Sequence, residues 1–199
     1  MSAIEFSLGL FGLLLGFILI EVLSGLIRTL RARLPSGPGI KADIRVGYLT
    51  PMLGAYTMLN VLMFWSTVFG YSKLIPVGYD TLTLGLLLCS FYYFAASMIY
   101  PDKPREWPDL DEWFWLHRRQ VLGCIFVANI PFMLVDYVIG EMTVSETIVS
   151  SIVIALTTGV LLLAIFARQY RVVFAALAML IAIHLSFIPL EILHRHGVW

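Results

Sequence analysis

Apolar residues run through this chain in stretches of about twenty or more, broken by short polar connections, and each stretch is apolar all round rather than along one stripe. Helices of that kind belong in lipid or in a large core, and about twenty consecutive apolar residues match the ~30 Å hydrocarbon thickness of a bilayer. The pattern predicts six helices, over residues 5–27, 45–69, 80–100, 109–140, 146–167 and 171–193. The expected fold is all-α: one polytopic bundle of six transmembrane helices, with residues 1–199 as a single domain. The fourth helix is longer than a bilayer requires. It opens on Trp107-Pro108-Asp109-Leu110-Asp111-Glu112, with proline where a first turn tolerates it and acids where the helix dipole favours them. Its first two turns are expected to stand out of the membrane or to lie along its surface. The first stretch, Met1 to Gly25, lacks the basic start of a signal peptide and carries Glu5, so it counts as a span.

Composition supports this solvent, and charge supplies direction. Only 13% of the 199 residues are charged, 60% are hydrophobic, and the formal net charge is zero; soluble domains carry roughly a quarter charged residues. Nearly the whole chain is taken up by spans and connections, which leaves no room for a soluble catalytic domain. Of the 13 basic residues, all but Lys73 and Arg195 fall on the side of the connections after helices one, three and five. The positive-inside rule then puts those connections in the cytoplasm and both termini outside. Trp107, Trp113 and Trp115 are expected at the inner interface, Trp65 and Trp199 near the outer one. The stretch from Glu112 to Arg119 mixes tryptophans, acids and bases: an interfacial anchor on the plain reading, a docking surface on the sharper one.

Ionisable groups inside hydrocarbon cost roughly 2.5–3.5 kcal/mol each at a helix centre, so each needs a reason. Counting ~1.5 Å per residue outward from Val46, Gln120 and Arg171, Asn60 lies ~21 Å up its helix, Asp136 ~24 Å and His184 ~20 Å. These three share one level, in the outer half. Asn129 precedes Asp136, and Glu191 follows His184, by two helical turns on the same face. Pro131 and Pro189 each remove a backbone donor nearby and are expected to kink their helices. Asn60, Asn129, Asp136, His184 and Glu191 therefore form the candidate site. It is either an outward-facing pocket exchanging a proton or cation, or a set of interhelical hydrogen bonds in which Asp136 and His184 satisfy each other. Glu21 lies too deep toward the cytoplasm to join it. Arg28, two turns later, shares its face, and the two are expected to anchor the inner end of helix one.

Small residues at four-residue spacing, Gly12/Gly16, Ala155/Gly159 and Ala178/Ala182, mark places where helices can approach closely, within one chain or between copies. The run Phe17 to Gly25 resembles Phe132 to Gly140, each with an acid at its fifth position; these helices run in opposite directions, which raises a 3+3 inverted repeat. Cys89 and Cys124 lie in apolar runs and read as packing residues. His194 and His196 with Glu191 make a low-specificity metal match, so no metal and no cofactor is expected. No phosphate loop or triad is present and the arginines are explained by orientation, so neither an enzyme nor a nucleic-acid binder is expected.

Glu21, Gly25 and Arg28, then Tyr92-Tyr93, Ala96 and Pro101, then Asp109-Leu110, Phe114 and Arg118-Arg119 carry a resemblance to a group of small bacterial multi-helix membrane proteins. The group has no assigned activity; the resemblance implies a bacterial inner-membrane location and nothing about mechanism. Two functions remain in view. One is a non-catalytic subunit or assembly component, whose partners are the lipid bilayer and other membrane proteins or further copies of itself. The other is a small proton- or cation-coupled transporter or channel using the buried acid and histidine.

Overall fold

A computed structural model describes residues 3–34, 44–72, 74, 78–139 and 143–195, with side chains described in all of these except 3, 4, 132, 135–139, 146 and 188–195. The chain forms six long helices and one short one: α1 (Ala3–Ala32), α2 (Leu49–Gly70), α3 (Tyr79–Ile99), a 3-10 turn η1 (Pro104–Glu106), α4 (Leu110–Ile139), α5 (Val144–Phe166) and α6 (Tyr170–Arg195). Five of the six, all but α4, are long and apolar enough among the described residues to cross a membrane. The charged first turns of α4 set it apart, with Asp111 and Glu112 at its start and Arg118 and Arg119 two turns on.

The two faces of α1 show why lipid is the fitting solvent. Phe11, Leu15, Ile18 and Val22 are buried against the bundle, while Leu10, Leu13, Phe17, Ile20 and Leu23 are exposed on the other side. Both faces are apolar. A soluble protein rarely exposes a contiguous apolar surface of that extent, whereas acyl chains match it at no cost.

Helices α1 and α3 pack closely, as do α3 and α4, α5 and α6, and α2 and α6; α2 also packs against α1, α3 and α4. The core holds Leu49, Leu53, Tyr56, Tyr92, Ile99, Phe114, Leu122, Ile125, Leu161 and Leu177. Tyr100, just past α3, is a tight joint between three helices. Its ring lies so close to Gly25 and its hydroxyl to Gly54 that a Cβ at either position would come within 2.6 Å of it. Only glycine lets three helices meet there.

Helix α2 starts at Leu49 rather than near 45, because the backbone of Arg45 is already committed. Its N–H donates to the carbonyl of Pro108 (2.9 Å) and its carbonyl accepts from Leu110 (3.1 Å). This bridge ties the segment before α2 to the entry of α4. The Thr50 hydroxyl donates to the Leu110 carbonyl at 3.0 Å, a second tie at the same end.

Candidate functional site

Between that end and the far end of α2, four helices bring polar side chains together. Asn60 of α2 is the hub. Its Oδ1 accepts from the Tyr92 hydroxyl of α3 (2.5 Å) and from Nδ2 of Asn129 of α4 (3.0 Å). Its own Nδ2 donates to Nε2 of His184 of α6 (3.2 Å) and to the hydroxyl of Tyr56 one turn earlier (3.4 Å). The Tyr92 hydroxyl also lies 3.1 Å from Oδ1 of Asn129, so its single proton is shared between two amide oxygens.

The tautomer of His184 follows from its neighbours. Its Nδ1 lies 2.9 Å from the Leu180 carbonyl, which can only accept, so Nδ1 carries the proton. Nε2 is then the acceptor that Asn60 requires. The imidazole is neutral, and the edge of its ring meets Tyr56 at 5.4 Å between centroids.

Four members of this network, Tyr56, Asn60, Asn129 and His184, form the floor of a cavity of about 850 Å³, with Tyr92 buried behind them. Its walls are Met63, Phe64, Val149, Val153, Ile154, Leu161, Ile183 and Phe187, with the hydroxyls of Ser66, Thr67, Ser145, Ser150 and Thr157 spaced along it. Gly70 and Tyr71 at the end of α2 and Ser145 at the start of α5 line its mouth, at the end of the bundle opposite Arg45 and Leu110. Hydroxyls graded along an apolar wall, above a floor of amides and a neutral imidazole, suit a small molecule that is mostly apolar and carries a polar group at one end.

The structure brings together Asn60, Asn129 and His184. The α4 residue at their level is Asn129, and Asp136 lies two turns further along the helix. The side chains of Asp136, Pro189 and Glu191 lie outside the described residues, and the imidazole expected to face Asp136 bonds Asn60 instead. Helix α4 runs unbroken through Pro131. Tyr56 and Tyr92 were not expected here. Tyr56 precedes Asn60 by one turn on the same helix face, which is the signal that would have found it.

At the other end, Arg28 reaches back to Glu21 at 3.4 Å and forward to Asp102 at 3.9 Å. Trp113 is spent internally: its Nε1 donates to the Met98 carbonyl at 3.1 Å, Trp107 meets its ring edge-on, and His117 stacks on it. Trp115 carries the guanidinium of Arg118 on its face at 4.1 Å. Arg118 is 3% exposed; its Nη2 donates to the Ala167 carbonyl just past α5, and its Nε and Nη1 have no hydrogen-bond partner among the described residues. The Asp111 carboxyl is pushed above the usual carboxylate range by burial and by neighbouring Asp109; the backbone N–H of Leu49 and Arg45 pull the other way. Among the described residues no group of three or more His, Cys, Asp or Glu is placed to hold a metal ion. Comparison with protein-family models, with characterised proteins and with solved structures gives no match to this chain.

Proposed function

We propose that the chain is a non-enzymatic protein of the bacterial inner membrane that binds a small molecule in the cavity between α2, α4, α5 and α6, as a transporter caught open on one side. The observation that carries this is a network of five polar side chains from four helices, of which Tyr56, Asn60, Asn129 and His184 line the cavity floor and Tyr92 backs them. Beneath it the bundle is filled by Leu49, Leu53, Ile99 and Phe114, which favours a carrier with one side sealed over an open channel. On this reading the apolar part of α4 supplies the sixth span. The arginine-rich end faces the cytoplasm, the cavity mouth and both termini face the periplasm, and the charged first turns of α4 lie at the inner interface. The inverted repeat gains no support from the packing: among the described residues α1 lies against α3, and α4 has no comparable contact with α6.

Thiol accessibility tests the cavity. In a background with Cys89 and Cys124 replaced by alanine, Ser66→Cys, Ser150→Cys and Thr157→Cys should react with a membrane-impermeant maleimide applied from the periplasmic side. Leu156→Cys, on the exposed apolar face of α5, should not. Equal labelling of Thr157→Cys and Leu156→Cys would remove the proposal.

The subunit reading rests on a separate observation. Ala155, Gly159 and Ala182 are exposed on α5 and α6, and a Cβ added at Gly159 would meet nothing within 4 Å. A surface that lets another helix approach closely is thus left on the bundle exterior. Cross-linking of Gly159→Cys between chains in native membranes would support it; exclusively monomeric chains would end it.

A further inference from the structure

Resting on the assignment of the cavity as a binding site, we infer that its occupant is a neutral, largely apolar molecule that presents a carbonyl oxygen to Tyr56 and Asn129. The hydrogen-bonding capacity of the floor is nearly spent, and what remains has one character. Asn60 uses both acceptor positions of its oxygen and both amide hydrogens. His184 uses both ring nitrogens. Tyr92 has a single proton, which goes to the two amide oxygens. Two donors are left over. The Tyr56 hydroxyl accepts from Asn60 but donates to no group among the described residues, and one of the two amide hydrogens of Asn129 is likewise uncommitted. Both residues line the cavity and both are bonded to Asn60, so the spare donors share one floor.

A site with two unspent donors selects for an acceptor. Leaving buried donors unpaired is costly, so an apolar analogue without the oxygen is rejected far more strongly than a missing methylene would be. The ligand's charge follows from the lining. Among the described residues the cavity wall carries no lysine, arginine or carboxylate, and the imidazole on its floor is neutral. A carboxylate or phosphate would enter without a counter-charge, which hydrocarbon surroundings penalise heavily. A ketone, ester or quinone carbonyl meets both conditions: it takes two hydrogen bonds, brings no charge and brings no further donor. Met63, Val153, Ile154 and Phe187 would enclose its apolar part.

The test uses the full chain in liposomes, with Thr157→Cys in the background that lacks Cys89 and Cys124. The rate of maleimide labelling is measured with 2-undecanone or with undecane at equal membrane concentration. The ketone should slow labelling and the alkane should not. Adding Tyr56→Phe should weaken the ketone's protection roughly three- to tenfold, the effect of one lost hydrogen bond. A second readout needs no change at the floor: the carbonyl stretch of isotopically labelled 2-undecanone should move to lower frequency in liposomes holding the protein, relative to lipid alone. Equal protection by ketone and alkane, an unshifted carbonyl band, or protection indifferent to Tyr56→Phe would overturn the carbonyl assignment and leave the cavity standing. An unreactive Thr157→Cys would instead overturn the cavity itself.

Discussion

At the cavity floor Asn60 divides its hydrogen bonds among side chains from α2, α3, α4 and α6, while at the arginine-rich end Arg118 spends its one hydrogen bond on a helix terminus. Both residues are buried, and in both places a polar group has been taken out of water. They differ in what is left over. Around Asn60 the spare groups border open space; Arg118 has two nitrogens without hydrogen-bond partners among the described residues, but its guanidinium is laid over the Trp115 ring. An indole face absorbs a cation through its quadrupole and asks for no ligand. Buried polarity at the first level is arranged toward a guest, and at the second it fastens α5 to α4.

That contrast can be broken from either side. The largest effect is expected from Asn60→Leu, which strands four partners at once. At about 0.6 kcal/mol for each interhelical hydrogen bond in a membrane protein, roughly 2–3 kcal/mol of stability should be lost. Denaturation in mixed micelles measures this; a loss below about 1 kcal/mol would mean that water substitutes for the network. Arg118→Met keeps the packing stem but removes the cap on the Ala167 carbonyl and the contact with Trp115. About 1–2 kcal/mol should go, with ligand protection of Thr157→Cys unchanged. A matching loss of protection would merge the two levels into one functional unit. The smallest effect is at Asp111. Its carboxyl binds a proton more tightly in the folded chain than in the unfolded one, so this group favours the fold at acid pH and that benefit is lost as pH rises through its elevated value. Asp111→Asn, which can still accept from Leu49, should leave the Tm at neutral pH equal or slightly higher. The gap should close as pH falls below the ordinary carboxylate range. A clearly lower Tm at neutral pH would contradict the cause assigned to the shift.

The helices were legible because hydropathy in lipid leaves little choice, and the differences fall where polar residues continue a helix or interrupt one. Helix α1 runs on to Ala32, past the expected end at 27, since Arg28 and Arg31 are good helix formers and sit at the C-terminus where the dipole favours cations. Depth counting grouped Asn60 with His184 because α2 and α6 rise alike. It misjudged α4. Thr50 meets Leu110 and Asn60 meets Asn129, so about 28 Å of α4 lies alongside about 15 Å of α2. The count along α4 began at Gln120, ten residues past the Leu110 that meets Thr50, so it placed Asn129 too low and Asp136 at the level of Asn60. Tyr92 escaped notice for a different reason. Tyrosines in such helices read as interfacial or core residues, and only the neighbouring amides make this hydroxyl part of a site.

The wedge of Tyr100 between Gly25 and Gly54 has a mechanical corollary. Three helices are riveted at one end, so any lean of α2 pivots there and its effect grows with distance from the pivot. A swing of about 5° in α2 about that rivet, over the roughly 24 Å from Gly54 to Gly70, carries its distal turn by about 2 Å. That displacement falls at Gly70 and Tyr71, so the rim changes bore while the base holds still.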